Sequence, residues 1–414
     1  MLKKLLLSAV FGLGVAAAPG LASAQVNLTF ASWQFQEPGN ADWWNAVIDA
    51  FEEENPDISI EEIYIPFADY LPQMTIRFAS GRAPAVMQLN EQLFGSFAAQ
   101  GWLAPLDDRI EGTDIATDWA APQKALTWDG ATRGVLLSNN AYQFFYNKDM
   151  LAEAGLPVPD SWESFKETAA EMTDRDAGIF GLSAVTTEHP TAVEDVHRYA
   201  IWAGANLIED GQYNLTSPEV IDAMNAYRET VGQNAPLGNN SSVARQLFID
   251  GKTSMLIDGP WVWSWLERAT PEMRPKLVMG RLPFDPQLAP GGLIMNISEG
   301  LDEEVEDAAW KFITFANSEE WQRAYLLTTG QPPGRAANVL TPEDEEAHPN
   351  LAIASASALD AVPLFPKEQP IQANFTEYSS ILMEAALRLL STNDPTEEIM
   401  ADAQGQLERA IPLD

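Results

Sequence analysis

The amino-acid sequence predicts an α/β fold, on three observations. First, Phe144 to Phe165 reads as an aromatic strand ending at Tyr146, a short helix from Lys148 to Ala154 stopped by Gly155, a proline link at Pro157 and Pro159, and a second helix from Trp162. Second, Val26 to Ala31 alternates apolar and polar residues as a strand does, and a helical pattern from about Asp42 to Asn55 follows. Third, the 414 residues are 46% hydrophobic and 20% charged, which is ample for a large core in two or three domain-sized units.

The remaining elements continue the alternation. Ile58 to Ile65 reads as a second strand. Phe67-Ala68-Asp69-Tyr70 opens a helix in which Asp69 is a possible cap. Val86 to Asn90 is a third strand, and Gly134 to Ser138 a further one after the turn at Trp128-Asp129-Gly130. Asp160 or Ser161 is expected to cap the helix at Trp162. A helix ends near Ile201-Trp202, and Ser217-Pro218-Glu219 starts another with proline in its first position. Phe248 to Trp261 reads as a helix end, a strand that delivers Asp258, and then Gly259-Pro260-Trp261. Glu303–Ala316 and Ser318–Thr328 are helices, and Leu351 to Leu413 is mostly helical. No internal repeat or low-complexity segment is seen.

Composition narrows the function classes. Lys3 and Lys4 precede an apolar run, Leu5 to Ala18, and Ala22-Ser23-Ala24 supplies small residues before Gln25. This reads as a secretory signal peptide over residues 1–24, since the run is shorter than the ~20 residues that span a bilayer. Cysteine is absent, which excludes disulfides, thiol catalysis and a cysteine-linked lipid anchor. The formal net charge is −36, and −38 once Lys3 and Lys4 leave with the signal. So acidic a chain argues against nucleic acid and anionic membrane as partners, and its charge is spread evenly enough to mark no site.

Five separated phrases carry a family resemblance. They are Tyr146-Asn147-Lys148-Asp149 continuing through Gly155 and Pro159 to Trp162 and Phe165; Phe78-Ala79-Ser80-Gly81-Arg82-Ala83-Pro84; Ala98-Ala99-Gln100-Gly101-Trp102-Leu103-Ala104-Pro105-Leu106-Asp107; Asp250-Gly251-Lys252 through Asp258-Gly259-Pro260-Trp261; and Gly330-Gln331-Pro332-Pro333-Gly334-Arg335. In order and spacing the chain resembles the extracellular solute-binding proteins of carbohydrate ABC importers, the maltose-binding-protein-like branch. Gln143 stands where a small residue is usual. The resemblance implies a periplasmic-binding-protein-like α/β fold, two α/β lobes joined by a multi-strand hinge with the ligand cleft between them. It implies an N-terminal lobe of residues 25–138 plus 293–333 and a C-terminal lobe of 139–292 plus 334–414. Crossings between the lobes are then expected near Asn139–Tyr142, Leu293–Ile297 and Gly334–Arg335.

In an open α/β sheet ligands collect at the carboxyl ends of strands. Trp33 and Gln34 follow the first strand, Asn90 and Glu91 the third, and Asp258 and Trp261 the strand of the fourth phrase. Asn140, Gly292 and Arg335 fall at the implied crossings, Tyr70 at a helix start, and Trp202 at a helix end. These eleven form the expected ligand site: aromatic rings for the apolar faces of a sugar, and Asn, Asp, Glu, Gln and Arg for its hydroxyls. Each has a plainer alternative. Trp33 and Trp202 are equally readable as packing, and Arg335 as the partner of an acidic neighbour. Trp263 and Trp265 are assigned to packing.

Enzyme signatures are missing. His189, His197 and His348 lack metal-ligand spacing, and the stretch around His189 and His197 reads as a solvated acidic helix. No nucleophile elbow or phosphate loop is present. No catalytic residue, metal or cofactor is therefore assigned. The expectation is a monomeric periplasmic protein, not membrane-inserted, that binds a sugar, oligosaccharide, polyol or glycoside. Its partners would be that ligand and the permease subunits of an ABC importer with their cytoplasmic ATPase. The alternatives are a binder of a cationic compatible solute such as a betaine, since tryptophan boxes also hold quaternary ammonium groups, and a secreted glycoside hydrolase, which needs two carboxyls across a cleft.

Overall fold

The computed structural model describes residues 25–337 and 339–413, so the signal-peptide reading of residues 1–24 lies outside the described residues. Nine principal strands form two sheets: β1 (Val26–Ser32), β2 (Ile58–Tyr64), β3 (Val86–Asn90), β4 (Val135–Ser138), β5 (Gln143–Asn147), β6 (Phe180–Ser183), β7 (Thr253–Asp258), β8 (Leu277–Arg281) and β9 (Leu293–Ile297).

The first sheet has the order β2-β1-β3-β9-β4. β1 runs parallel to β2 and β3, as strands joined through helices must, and β9 is antiparallel to β3 and β4. Helices Asn40–Glu54, Phe67–Ala79 and Glu303–Ala316 accompany it. Their apolar faces and the sheet share one core containing Phe30, Trp44, Phe51, Leu89 and Phe312. The second sheet has the order β8-β5-β7-β6. Alternate residues of its strands point to opposite faces, so Phe144 and Met255 enter one core while Phe145 and Leu256 enter another. The C-terminal helices Phe375–Ser391 and Thr396–Ala410 cover the first of these, through residues such as Tyr378, Leu382 and Leu407.

The two bodies meet where the strands change hands. Ser138, Leu293 and Asn90 lie side by side at one end of the first sheet, and Gln143, Asp258 and Arg281 lie side by side at one end of the second. Asn139–Tyr142 joins the two ends directly. Close packing there dictates glycine: a Cβ on Gly292 would sit 2.4 Å from the Ser138 carbonyl oxygen, and one on Gly334 1.9 Å from that of Leu136.

Two sequence expectations need correcting. The segment Gly334–Ala336 stays on the first body: the Gly334 amide donates to the Leu137 carbonyl at 2.9 Å and the Ala336 amide to that of Asp118 at 2.8 Å. The third crossing therefore falls after Ala336, not at Gly334–Arg335. The helix around His197 is also not solvated. Pro190–Trp202 is buried along most of its length, with Glu194, Asp195, His197 and Arg198 all inside. Its charges survive burial because they are partnered. Asp195 pairs with Arg198, Glu194 accepts from the Tyr142 hydroxyl at 2.8 Å, and the His197 ring lies 2.9 Å from the Tyr378 hydroxyl.

Candidate ligand-binding cleft

Between the two bodies lies a cavity of about 100 Å³. Trp33, Gln34, Glu37, Asn90 and Gln92 line it from the first body. His189, Glu194, Arg245 and Trp261 line it from the second, and Asn140 and Pro290 from the connecting chain. The bodies also touch at its edges. The Gln92 amide donates to the Pro290 carbonyl at 3.2 Å, and the Ser264 hydroxyl donates to that of Pro38 at 2.9 Å.

Strand ends and helix starts aim these groups. Asn90 ends β3 and caps the helix Glu91–Ala99, its Oδ1 accepting from the Leu93 amide at 3.0 Å. Helix Pro190–Trp202 starts at the cavity, capped by His189, and helix Ser241–Ile249 starts there too, capped by Asn240. Trp33 follows β1 and rests edge-on against Tyr70, with ring centroids 5.0 Å apart. Trp261 follows β7, and its indole N–H donates to Asp258 at 2.9 Å. Gly259 is required beneath that ring, because a Cβ there would lie 2.2 Å from it.

Of the expected site residues, the structure brings Trp33, Gln34, Asn90, Asn140 and Trp261 to the cavity. Asp258 stands one step behind, holding Arg245 by two hydrogen bonds of 2.7 and 3.2 Å as well as the Trp261 ring. The other residues have different work. Tyr70 is wholly buried under Trp33 and its hydroxyl donates to the Ala31 carbonyl at 3.0 Å. Glu91 accepts from the Gly292 amide at 3.0 Å, which ties the second crossing to the first sheet. Trp202 packs among Trp162, Tyr199 and Phe284. Arg335 is spent elsewhere: it bonds Asp114 at 2.5 Å and its guanidinium lies 4.5 Å from the centre of the Trp119 ring.

The sequence reading missed Glu37, Gln92, His189, Glu194 and Arg245. The readable signal was the helix starts. Asn90, His189-Pro190 and Asn240-Ser241 all have the look of N-caps, and three such ends converge on the cavity. Burial pushes the Glu37 carboxyl up to about 7 and the His189 imidazole down to about 4. Burial likewise raises Glu194. His189 Nδ1 accepts from the Thr191 amide at 3.2 Å, so the neutral ring carries its proton on Nε2.

What the cavity can do follows from its polar atoms. Asn140 is fully buried, its Nδ2 donates to the Ser138 hydroxyl at 3.1 Å, and its Oδ1 has no partner among the described residues. A buried carbonyl without a partner is costly. The Ser241 hydroxyl lies 3.4 Å from His189 Nε2, the nitrogen that carries the ring proton, so His189 is not set as a base towards it, and no group of acidic or histidine side chains among the described residues has the makings of a metal site.

Comparison with known proteins supports the same conclusion. Residues 46–352 match the family model described as bacterial extracellular solute-binding protein. A putative binding protein of Brucella abortus is 25% identical over 336 residues, covering 78% of this chain and 79% of that one. The putative ABC transporter periplasmic-binding protein YcjN of Escherichia coli is 25% identical over 283 residues, covering 65% and 64%. Among solved structures, maltose-bound MalE3 of T. maritima superposes with a TM-score of 0.84 at 22% identity, covering 93% of this chain and 99% of that one. An ABC transporter solute-binding protein of Agrobacterium vitis with bound D-mannitol gives 0.77 at 20% identity, covering 92% and 97%. The fold is that of the MalE-like periplasmic binding proteins, two α/β lobes on a multi-strand hinge. With a family match spanning most of the chain and a binding cavity where the lobes meet, this protein belongs to the bacterial extracellular solute-binding protein family.

Proposed function

We propose that this protein captures a carbohydrate, a small sugar, polyol or glycoside, in the periplasm and delivers it to the permease of an ABC importer. The observation that carries the reading is the pairing of two aromatic walls with buried polar acceptors. Trp33 and Trp261 come from opposite lobes, and Asn140, Glu37 and Glu194 line the same cavity. Flat rings suit the C–H faces of a sugar, and acceptors suit its hydroxyls. The names of the relatives agree in kind: one structure holds maltose, another D-mannitol, another ribitol. We take the N-terminal lobe as residues 25–138 plus 293–336 and the C-terminal lobe as residues 139–292 plus the chain from 337 onwards. A ligand touching both lobes favours the closed form by its differential affinity, and the closed form is what a permease would recognise. The absence of catalytic motifs supports binding without turnover, and no helix of the described residues is long and apolar enough to cross a membrane.

The test is a thermal-shift screen of neutral sugars and polyols, with betaine and choline alongside, followed by calorimetry and small-angle scattering on the best ligand. A ligand specific to the native state raises its melting temperature. The reading expects a carbohydrate to give the largest shift, to shrink the scattering radius and to be recovered unchanged. Largest shifts from betaine or choline, or hydrolysis of the sugar, would replace it.

A further inference from the structure

We infer that the cleft takes its ligand through the ligand's hydrogen-bond donors and rejects ligands that carry a negative charge, with Glu37 and Glu194 as the residues that decide. This rests on the carbohydrate reading and narrows it to uncharged polyhydroxy compounds, excluding sugar acids and phosphate esters.

The polar atoms around the cavity are unevenly divided. Two acidic acceptors line it: Glu37, which accepts from Asn40 Nδ2 at 3.2 Å, and Glu194, whose Oε1 accepts from the Gln92 amide at 3.5 Å. The amide donors of the first body are engaged within the protein. Asn90 Nδ2 donates to Gln92 Oε1 at 3.2 Å, and the Gln92 amide to Pro290. Sugar hydroxyls would supply what the wall lacks, whereas a carboxylate or phosphate is rich in acceptors.

The charges point the same way. Arg245 is the only Lys or Arg among the residues that line the cavity, and Asp258 already holds its Nε and Nη2. Glu37 and Glu194 then stand without a cation of their own in contact. Asp195 and Arg198, one layer deeper, neutralise each other. His189 adds no positive charge, being neutral above about pH 4.

Three helix N-termini at the cavity would ordinarily favour an anion. Here the capping side chain takes one amide at each. Asn90 Oδ1 takes the Leu93 amide, Asn240 Oδ1 the Val243 amide, and His189 Nδ1 the Thr191 amide. Pro190 has no amide hydrogen to offer.

The experiment compares matched pairs by titration calorimetry at pH 8.5, where Glu37, raised to about 7, is ionised, on the mature chain: D-glucose with D-glucuronate and glucose 6-phosphate, D-galactose with D-galacturonate, and D-mannitol with mannitol 1-phosphate. In each pair that binds, the neutral member should be tighter by about 30-fold or more, the scale set by one unscreened like charge a few ångströms away. Glu37→Gln or Glu194→Gln, isosteric changes checked by a retained cooperative melting transition, should narrow that ratio about fivefold or more. An acid or phosphate binding as tightly as its neutral partner overturns the inference and leaves the carbohydrate reading standing. A ratio unmoved in both variants overturns the assignment to these two residues. If no sugar or polyol binds, the carbohydrate reading falls and this inference with it.

Discussion

Two tryptophans take opposite roles in this fold. Trp261 is only partly buried, and its indole N–H is fixed by Asp258 at the cavity wall. Trp202 is 8% exposed and held in an aromatic cluster, with Phe284 4.9 Å away edge-on. Trp261→Ala should therefore weaken binding of the best ligand by roughly 2–4 kcal/mol, or about thirty-fold to a thousand-fold, and leave the unliganded melt nearly unchanged. Trp202→Ala should lower unliganded stability by about 3–5 kcal/mol with affinity little altered. Calorimetric titration and chemical unfolding of both variants check the contrast, and exchanged outcomes would exchange the roles. Sequence position alone placed both rings at element ends. What it does not carry is the direction of a side chain from a helix end. Trp202 leaves its helix into the core, where Trp162 waits, and only tertiary packing decides that. Arg335 teaches the same point with charge: its partner Asp114 is 221 positions away in the chain.

Local chemistry was the most readable layer. Strand β5 ends at Asn147, and the helix Lys148–Glu153 begins there because Asn147 Oδ1 accepts from the Met150 amide at 3.2 Å. Ser161 caps the next long helix in a capping box with Ser164. These turn and cap residues act within a few positions of themselves, so their pattern survives in the sequence. The buried helix Pro190–Trp202 did not, because Glu194, Asp195 and His197 look like a wetted face until Tyr142, Arg198 and Tyr378 are known to cover them. The cap offers a direct test. Asn147→Ala should cost about 1 kcal/mol of stability and Asn147→Asp much less, read as a shift in the urea midpoint. Equal losses in both variants would mean that Asn147 matters for some contact other than its cap.

The two-lobe architecture was legible because its phrases recur at separated points of the chain. The pH response of the assembled molecule was not, since it depends on burial. His197 is buried against Phe365 and Tyr378, and burial pushes its imidazole down to about 3 from an ordinary value of 6.5. His189 behaves similarly, down to about 4. A histidine lowered in this way binds its proton more readily in the unfolded chain. Its contribution is complete above pH 6.5 and is lost as pH falls towards the folded value. Glu37 acts in the opposite sense. Raised from 4.5 to about 7, its carboxyl holds a proton in the fold that the unfolded chain has released, so its contribution falls as pH rises from about 4.5 to 7. The three overlap in one window, and wild-type curves alone would not separate them. Differences between variants do, because the many surface carboxylates cancel. The stability gap between wild type and His197→Gln should shrink by up to about 1.4 kcal/mol for each unit of pH below 6.5. The gap between wild type and Glu37→Gln should instead move against wild type as pH rises from about 5 to 7. Urea midpoints at pH 4.5, 5.5, 6.5 and 7.5 measure both. A gap for His197→Gln that stays constant across that range would show that the ring titrates alike folded and unfolded, and hence that the folded protein admits water to it.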